Sequence, residues 1–252
     1  MDAVSDKMRS VILERIKHIE AEENLSIVLA IESGSRAWGF HSPDSDYDVR
    51  FIYTRPPEWH YRLGKKRDVV ERPIDDELDL SGWELAKALT LTLGSNAVVA
   101  EWLQSPIVYR AHAPAVTALT DFARRALDRK SVTWHYVHLA QRQLDRLTDK
   151  NGHVRIKRYF YVLRPVLALR WMRLTNKAMP PMHMTALRSE AELSTDISDA
   201  LDVLTEQKMA AKEKGTIKKA PALLESLVVD ELHQARVWLE TAPKSNNKEL
   251  WD

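Results

Sequence analysis

The sequence predicts an α+β fold, in which a small mixed-sheet domain over residues 1–110 is followed by an all-helical domain over residues 111–252. The segments with strand character all lie in the first domain: Ile27–Ile31, Val49–Tyr53 and Glu77–Leu80. From Pro114 onward, apolar residues recur at helical spacing instead. The connections between the strands differ in length, so the sheet is expected to combine parallel and antiparallel pairs.

Composition restricts the class of protein. The 252 residues give room for one large domain or two small ones. Lys+Arg number 37 and Asp+Glu 36, a balance that does not by itself indicate a nucleic-acid-binding protein but leaves room for a local basic face. The absence of cysteine excludes disulfides and thiolate metal sites. The N-terminal region has no apolar run that suits a signal peptide or a membrane span, so we expect a cytoplasmic protein without a membrane partner.

The first element is predicted to be an amphipathic helix from about Ser5 to Glu22. Asn24 is expected to end this helix, and a buried strand over residues 26–33 follows. Further along, Ser81 has the character of a helix N-cap with Glu84 as its capping-box partner. Helices are predicted over residues 81–94, 96–103, 115–128, 131–149, 154–176, 185–193, 198–211 and 221–241.

Two acids stand at the start of the second strand. Asp46 and Asp48 are separated by one residue, so on an extended chain their side chains point to the same face. Adjacent carboxylates repel each other and usually require a cation or a salt-bridge partner. The alternative interpretation is that they are a device that keeps an edge strand soluble.

A Gly-Ser turn precedes these acids and supplies the complementary half of a site. Gly34 and Ser35 follow the first strand, and such a turn exposes backbone N–H groups and a hydroxyl that can hold phosphate oxygens. A phosphate-binding turn beside an acidic strand predicts a Mg²⁺–nucleotide site, because the metal bridges carboxylates and phosphates.

This ordered combination resembles the DNA polymerase β nucleotidyltransferase superfamily, whose signature is Gly-Ser, then Asp-x-Asp on a strand, then a third acid on a later strand. The chain is similar in particular to the bacterial and phage predicted nucleotidyltransferases that are named for an RNA repair pathway. The segments that carry this resemblance are SRAWGF, SDYDVRFIY, GWELAKAL, EWLQSPIVY and KRYFYVLRPVLALRW.

The resemblance implies that residues 1–110 are the catalytic domain and that Asp46, Asp48 and a third acid bind two Mg²⁺ ions. Asp79 is the expected third acid, because it lies between two leucines in the apolar-acid-apolar pattern of the superfamily. Glu77 is the alternative. Asp79 would also act as the general base for the attacking hydroxyl.

The resemblance further implies which residues hold the nucleotide. Gly34, Ser35 and Arg36 would contact the phosphates. Lys87 would assist them, or it is an ordinary exposed lysine of a helix. The basic stretch at residues 59–68, with Arg62, Lys65, Lys66 and Arg67, is either a solvated loop or a contact for triphosphate or RNA.

The predicted helix over residues 154–176 carries a second set of candidates. Tyr159 and Arg164 are predicted to bind the nucleotide by stacking and by phosphate contact, with Lys157, Arg158 and Tyr161 beside them. The alternative is a helix core with solvated basic residues. Pro165 is expected to start or kink this helix because it lacks an N–H group.

The resemblance therefore implies transfer of a nucleoside monophosphate from an NTP, with ATP expected, to an acceptor hydroxyl, with an RNA 3′ end expected. Residues 111–252 would bind the substrate. Two alternatives remain open: transfer of AMP to a protein side chain, and a module that binds nucleotide or RNA without catalysis. The presence of all three acids disfavours the second. The sequence does not indicate an oligomeric state.

Overall fold

The computed structural model describes residues 3–64, 66–74, 77–210 and 215–243. Its strands are β1 (Ser26–Glu32), β2 (Tyr47–Thr54), β3 (Val69–Glu71), β4 (Leu78–Glu84), β5 (Val108–Ala111), β6 (Val154–Arg155) and β7 (Thr216–Ile217). Its helices are α1 (Asp6–Glu23), α2 (Gly34–Trp38), α3 (Pro57–His60), α4 (Leu85–Leu93), α5 (Ala97–Trp102), α6 (Ala113–Ala126), α7 (Arg129–Leu144), α8 (Ile156–Thr175), α9 (Met184–Ser189), α10 (Thr195–Ala210) and α11 (Ala222–Thr241). The fold class is α+β, as predicted.

The first five strands form one mixed sheet with the order β3-β4-β2-β1-β5. Strand β1 runs antiparallel to β2 and to β5, whereas β2 and β4 are parallel and β3 is antiparallel to β4. The parallel pair is possible because the chain between β2 and β4 is long enough to return to the same end of the sheet. This pair positions the acidic residues.

Both faces of the sheet are covered. Helix α1 begins after Ser5, whose hydroxyl accepts the N–H of Met8, and ends at Asn24, which has a φ of 48°. Its buried residues Ile12, Ile16 and Ile19 share a core with one face of the sheet. The opposite face packs against residues of α4, α5 and α6. The predicted N-terminal helix and its stop signal are therefore confirmed.

The helices that follow β5 surround α8. Most residues of α8 between Tyr159 and Met172 are buried, and α7 and α11 pack against it. Pro165 lies inside α8 and does not start it. Phe40, Ala97 and Ala100 join the same core, so residues from the first part of the chain pack with the helices of the second. The division at residue 110 stays a prediction.

Two local predictions are wrong. Ser81 does not cap a helix, because β4 continues alongside β2 as far as the pair Tyr53 and Glu84, and sheet pairing overrides the capping signal. Glu84 is itself the N-cap of α4, where its carboxylate accepts the N–H of Ala86 at 2.6 Å. The helical part also contains a short antiparallel pair, β6 with β7, so residues 154–155 are strand and α8 starts at Ile156. Within the described ranges, no helix combines the length and the hydropathy that crossing a bilayer requires.

Candidate active site

Two carboxylates lie side by side at the start of the parallel strand pair. Asp48 on β2 and Asp79 on β4 are register partners, so their side chains project from neighbouring positions on the same face. Asp46 lies just before β2 and is exposed. Of the two candidates for the third acid, Asp79 is the one that pairs with Asp48. Glu77 precedes β4 and contributes its carbonyl oxygen to the N–H of Tyr47 at 2.7 Å.

The glycine of the Gly-Ser turn touches this acidic pair. Gly34 has a φ of +60°, and a Cβ atom at this position would lie 2.0 Å from Oδ2 of Asp48. Only glycine can bring the backbone so close in this conformation. Ser35 is the next residue and is buried. The structure therefore brings the predicted turn against the predicted acids.

Arg50 links the two carboxylates, and sequence analysis did not select it. Its Nη2 lies 3.1 Å from Oδ1 of Asp48 and 2.7 Å from Oδ2 of Asp79, and its Nη1 donates to the carbonyl of Asp79 at 3.1 Å. Arg50 follows Asp48 by two positions on β2, which places both side chains on one face. That alternation is the signal by which Arg50 could have been found.

The electrostatics of Asp48 reflect its neighbours. Burial raises the pKa of the Asp48 carboxyl, and the charges of Asp79 and Asp46 act in the same direction. Arg50 opposes the rise, and Lys157 of α8 does so more weakly. A positive side chain of the helical part is thus close enough to influence the acidic pair.

The donor set suits a hard divalent cation, because carboxylate oxygens are the ligands that Mg²⁺ and similar ions prefer. Asp48 and Asp79 already share one cationic group, the guanidinium of Arg50. Within the described ranges, no three Asp, Glu or His side chains are grouped as metal ligands would be. The residues therefore fit such an ion through Asp48 and Asp79, with Arg50 occupying the space between them.

Arg36 holds the loop in front of Asp46. Its guanidinium is buried against the ring of Tyr47 and donates to three carbonyl oxygens. The acceptors are the carbonyls of Ala3 at 2.6 Å, Ser45 at 2.6 Å and Asp46 at 3.2 Å. These contacts favour a role in fixing the loop and differ from the phosphate contact that the sequence predicts.

Lys87 and the basic stretch at residues 59–68 have protein partners. The ammonium group of Lys87 lies 3.1 Å from both carboxylate oxygens of Asp68. Arg67 pairs with Glu71 in a solvent-exposed ion pair. Lys65 lies outside the described residues. The observed pairs favour the alternatives of an ordinary helix lysine and a solvated loop.

Tyr159 and Arg164 of α8 are both buried. Each is 1% exposed. Arg164 binds the carboxylate of Glu101 at 2.8 Å and the carbonyl of Met182 at 3.1 Å. The structure thus places both predicted nucleotide ligands in the helical core, as the alternative interpretation of this helix holds.

Residues near the N-terminus of α8 border a cavity of about 630 Å³. The residues that line it are Gln143, Asp149, Arg155, Lys157, Arg158, Tyr161, Gly215 and Thr216. Three of these side chains are basic and one is acidic, so the lining is positive. Tyr161 also contacts Trp38 of α2, with ring centroids 5.0 Å apart, and Lys157 acts on Asp48. Two residues that line the cavity thus interact with the rest of the candidate site: Tyr161 with the Gly-Ser helix and Lys157 with the charge of Asp48.

A second groove, of about 590 Å³, borders Asp79. The residues that line it are Arg50, Glu71, Arg72, Pro73, Ile74, Asp79 and Ser81. Asp79 belongs to the acidic pair, and Arg50 bridges its two carboxylates. The Asp79 side of the pair thus borders this groove.

Comparison with known proteins shows the family to which the chain belongs. Residues 8–251 match the family model RlaP, which is described as an RNA repair pathway DNA polymerase beta family. The uncharacterized protein YcgL of Bacillus subtilis (strain 168) is 42% identical over 207 residues, which are 82% of this chain and 78% of that protein.

A nucleotidyltransferase-like protein from Exiguobacterium sibiricum 255-15 has a solved structure that aligns with 91% of this chain over 75% of its own chain. The sequence identity is 12% and the TM-score is 0.30. That likeness is too low to support an argument. The family match spans nearly the whole chain and includes every element of the acidic site. The chain belongs to the RNA repair pathway DNA polymerase beta family, and it is a nucleotidyltransferase.

Proposed function

We propose that this enzyme transfers a nucleoside monophosphate from an NTP, with ATP as the expected donor, to the 3′-hydroxyl of an RNA, and that Mg²⁺ is required. The observation that carries the proposal is the meeting of Asp48, Asp79 and the backbone of Gly34 at one point of the sheet. Family membership implies an NTP and a divalent cation. The words "RNA repair pathway" in the family description support RNA as the acceptor.

Asp46, Asp48 and Asp79 are the residues that would hold the metal. When bound, Mg²⁺ would neutralise the phosphates and polarise the phosphorus that is attacked. Arg50 would have to release at least one carboxylate for a metal to take its place. The backbone of Gly34 lies next to the carboxylate of Asp48. Gly34 and the hydroxyl of Ser35 would contact the triphosphate.

The chemical step is an in-line displacement. The acceptor hydroxyl oxygen forms a bond to the α-phosphorus, the bond from that phosphorus to the bridging oxygen of the β-phosphate breaks, and pyrophosphate leaves. Asp79 takes the proton of the hydroxyl. Because the nucleophile and the leaving group stand on opposite sides of the phosphorus, they require access from two directions.

The basic cavity and the groove that contains Asp79 are the two clefts that we assign to these substrates. The basic cavity has a volume suited to a nucleotide. Lys157 and Arg158 would attract its phosphates, and the ring of Tyr161 would contact its base or ribose. The groove that contains Asp79 would then receive the acceptor. Residues 111–252 thus act as the substrate-binding domain beside a catalytic domain at residues 1–110. We place the enzyme in the cytoplasm, where NTPs and RNA meet.

The test is an incubation of the purified protein with Mg²⁺, α-labelled NTP and short RNAs that end in a 3′-hydroxyl or a 3′-phosphate. We expect label on the 3′-hydroxyl RNA alone. D48N should lose about 100-fold or more of the rate, because a metal ligand and its charge are removed. D121N changes an exposed acid on α6 and should retain the parental rate. Equal rates for D48N and D121N would overturn the assignment, and label on protein instead of RNA would overturn the acceptor.

A further inference from the structure

Glu32 is a buried acid that has no part in the chemistry described above. It is the last residue of β1 and is 0% exposed. Its Oε1 accepts the backbone N–H of Asp48 at 2.8 Å. The carbonyl of Asp48 in turn accepts the N–H of Ser33 at 2.8 Å. Both main-chain groups of Asp48 are therefore fixed by residues at the end of β1.

The second oxygen of Glu32 is held by Tyr109 of β5. The phenol O–H donates to Oε2 of Glu32 at 2.5 Å, in a buried environment. The backbone of Glu32 is bound as well, since Ser105 donates to its carbonyl at 2.6 Å and its N–H donates to Ile107 at 2.9 Å. The chain between α5 and β5 thus encloses Glu32 and leaves its carboxylate one orientation.

Burial of the Glu32 carboxylate carries a large desolvation penalty. Burial raises the pKa of Glu32 to about 7, although the bonds from Tyr109 and Asp48 oppose the rise. An apolar side chain of similar size would avoid the desolvation penalty, but it would leave the N–H of Asp48 buried without an acceptor. An oxygen acceptor at this position serves two donors, the N–H of Asp48 and the O–H of Tyr109.

We propose that Glu32, oriented by Tyr109, is a positioning residue that fixes the backbone of Asp48 so that its carboxylate can bind the divalent cation. The two side chains lie on the face of the sheet that packs against α1, since Tyr109 and Ala30 belong to that core and Glu32 follows Ala30 by two positions. They act through the strand and touch neither substrate nor metal. The inference rests on the proposed role of Asp48 in metal binding.

The test compares E32A, E32Q and Y109F with the parent. E32A removes the acceptor for the N–H of Asp48, whereas E32Q retains a carbonyl oxygen there. E231Q serves as the control, because Glu231 is an equally buried acid that binds Arg170 and Arg173 in the helical part. Two quantities are measured by isothermal titration and NMR: the Kd for Mn²⁺ and the amide proton shift of Asp48.

We expect E32A to weaken Mn²⁺ binding about 10- to 100-fold, the range found when outer-shell partners of metal ligands are removed. E32Q should stay within about threefold of the parent, and Y109F should lie between the two. The amide proton of Asp48 should move upfield in E32A only. E231Q should lower the melting temperature without changing the Kd.

The outcomes are distinguishable. If the folded E32A, E32Q and Y109F proteins all bind Mn²⁺ with the Kd of the parent, the positioning role is refuted while the proposed function stands. If E32A does not fold, a Kd for Y109F equal to that of the parent refutes the role. If the parent itself does not bind Mn²⁺, both the proposed function and this inference fail.

Discussion

At the scale of single residues, Arg50 is the group on which the state of the acidic pair depends. It occupies the position between Asp48 and Asp79 that a metal would take. The three side chains are between 19% and 30% exposed, so the pairing is only partly screened by water. Arg50 and a divalent cation are therefore expected to compete for the same oxygens.

R50Q is expected to lower the stability of the metal-free protein by about 1–3 kcal/mol, because it leaves two adjacent carboxylates without a counter-charge. Added Mg²⁺ should then raise the melting temperature of R50Q more than that of the parent. Melting curves in EDTA and in Mg²⁺ measure both effects. R67Q removes a surface ion pair and should change neither value appreciably. An identical Mg²⁺ response in R50Q and the parent would contradict the competition.

Gly34 is the second residue whose substitution should strongly affect the rate of transfer. G34A should reduce transfer about 100-fold, because the added methyl group would displace the Asp48 carboxylate, and misplacement by about 1 Å is sufficient for such a loss. G64A is the matched control, since Gly64 also has a positive φ (+99°) but has no atom within 4 Å of an added Cβ. Both variants should lose about 1 kcal/mol of stability from the backbone conformation. Transfer by G34A at the rate of G64A would show that the close approach is not required.

The acids and the turn could be predicted because their signal is local. Asp46 and Asp48 are two positions apart at the start of β2, and Gly34 and Ser35 closely follow β1. Arg36 could not be assigned in the same way. Its partners include the carbonyl of Ala3, 33 residues away in the chain, and no local pattern shows that a guanidinium will be enclosed by main-chain oxygens.

At the scale of elements, β4 shows how tertiary pairing overrides a local signal. Ser81, Gly82 and Glu84 have the composition of a helix start, yet they are strand residues opposite β2. Gly82 faces Phe51, and a Cβ atom on Gly82 would lie 2.1 Å from the Phe51 ring. A glycine inside a strand at such a contact is consistent with close packing. The ring that requires it lies 31 residues earlier in the chain, so the local sequence around Gly82 does not reveal the requirement.

Helix α9 carries a pH-dependent contact. His183 is its N-cap, and Nδ1 accepts the N–H of Thr185 at 3.2 Å, so this nitrogen carries no proton. The ring also packs on Gly39, where an added Cβ would lie 2.4 Å from Nε2. Burial lowers the pKa of His183. The cap on the N–H of Thr185 therefore requires the neutral imidazole.

The free energy of unfolding should fall as the pH drops through about 6.5. At that pH His183 binds a proton in the unfolded chain, whereas in the folded protein its lowered pKa keeps it neutral. H183N retains a capping oxygen and does not titrate, so its profile should be flatter between pH 7.5 and 5.5. Burial also lowers the pKa of His41 and His135, and both contribute equally to parent and variant. Denaturant titrations at several pH values give the difference, and parallel profiles would exclude His183 as a source.

At the scale of the whole molecule, α8 joins the two halves of the site. Its buried residues form part of the helical core, and Lys157, Arg158 and Tyr161 near its N-terminus line the basic cavity. Lys157 also opposes the rise in the pKa of the Asp48 carboxyl. Helical periodicity predicted the element and its broad apolar surface. It could not separate Arg164, which is buried against Glu101, from Lys157 and Arg158, because burial of an arginine depends on an acid supplied by another helix.

Replacement of the basic side chains of the cavity should weaken nucleotide binding while the fold is retained. For K157Q/R158Q we expect at least about a 10-fold higher Kd for a non-hydrolysable NTP, with a smaller dependence on salt concentration, since two phosphate-attracting charges are lost. R124Q/R125Q removes the same charge from the exposed end of α6 and serves as the control. Calorimetric titration at two salt concentrations measures both quantities. Equal effects in the two double variants would indicate general charge attraction and not a site.

The most direct measurement is the anomalous diffraction of crystals grown with Mn²⁺ and a non-hydrolysable NTP. We expect manganese peaks between Asp46, Asp48 and Asp79, the triphosphate beside Gly34 and Ser35, and Arg50 displaced from at least one carboxylate. Manganese bound elsewhere, with Arg50 still bridging Asp48 and Asp79, would contradict the account.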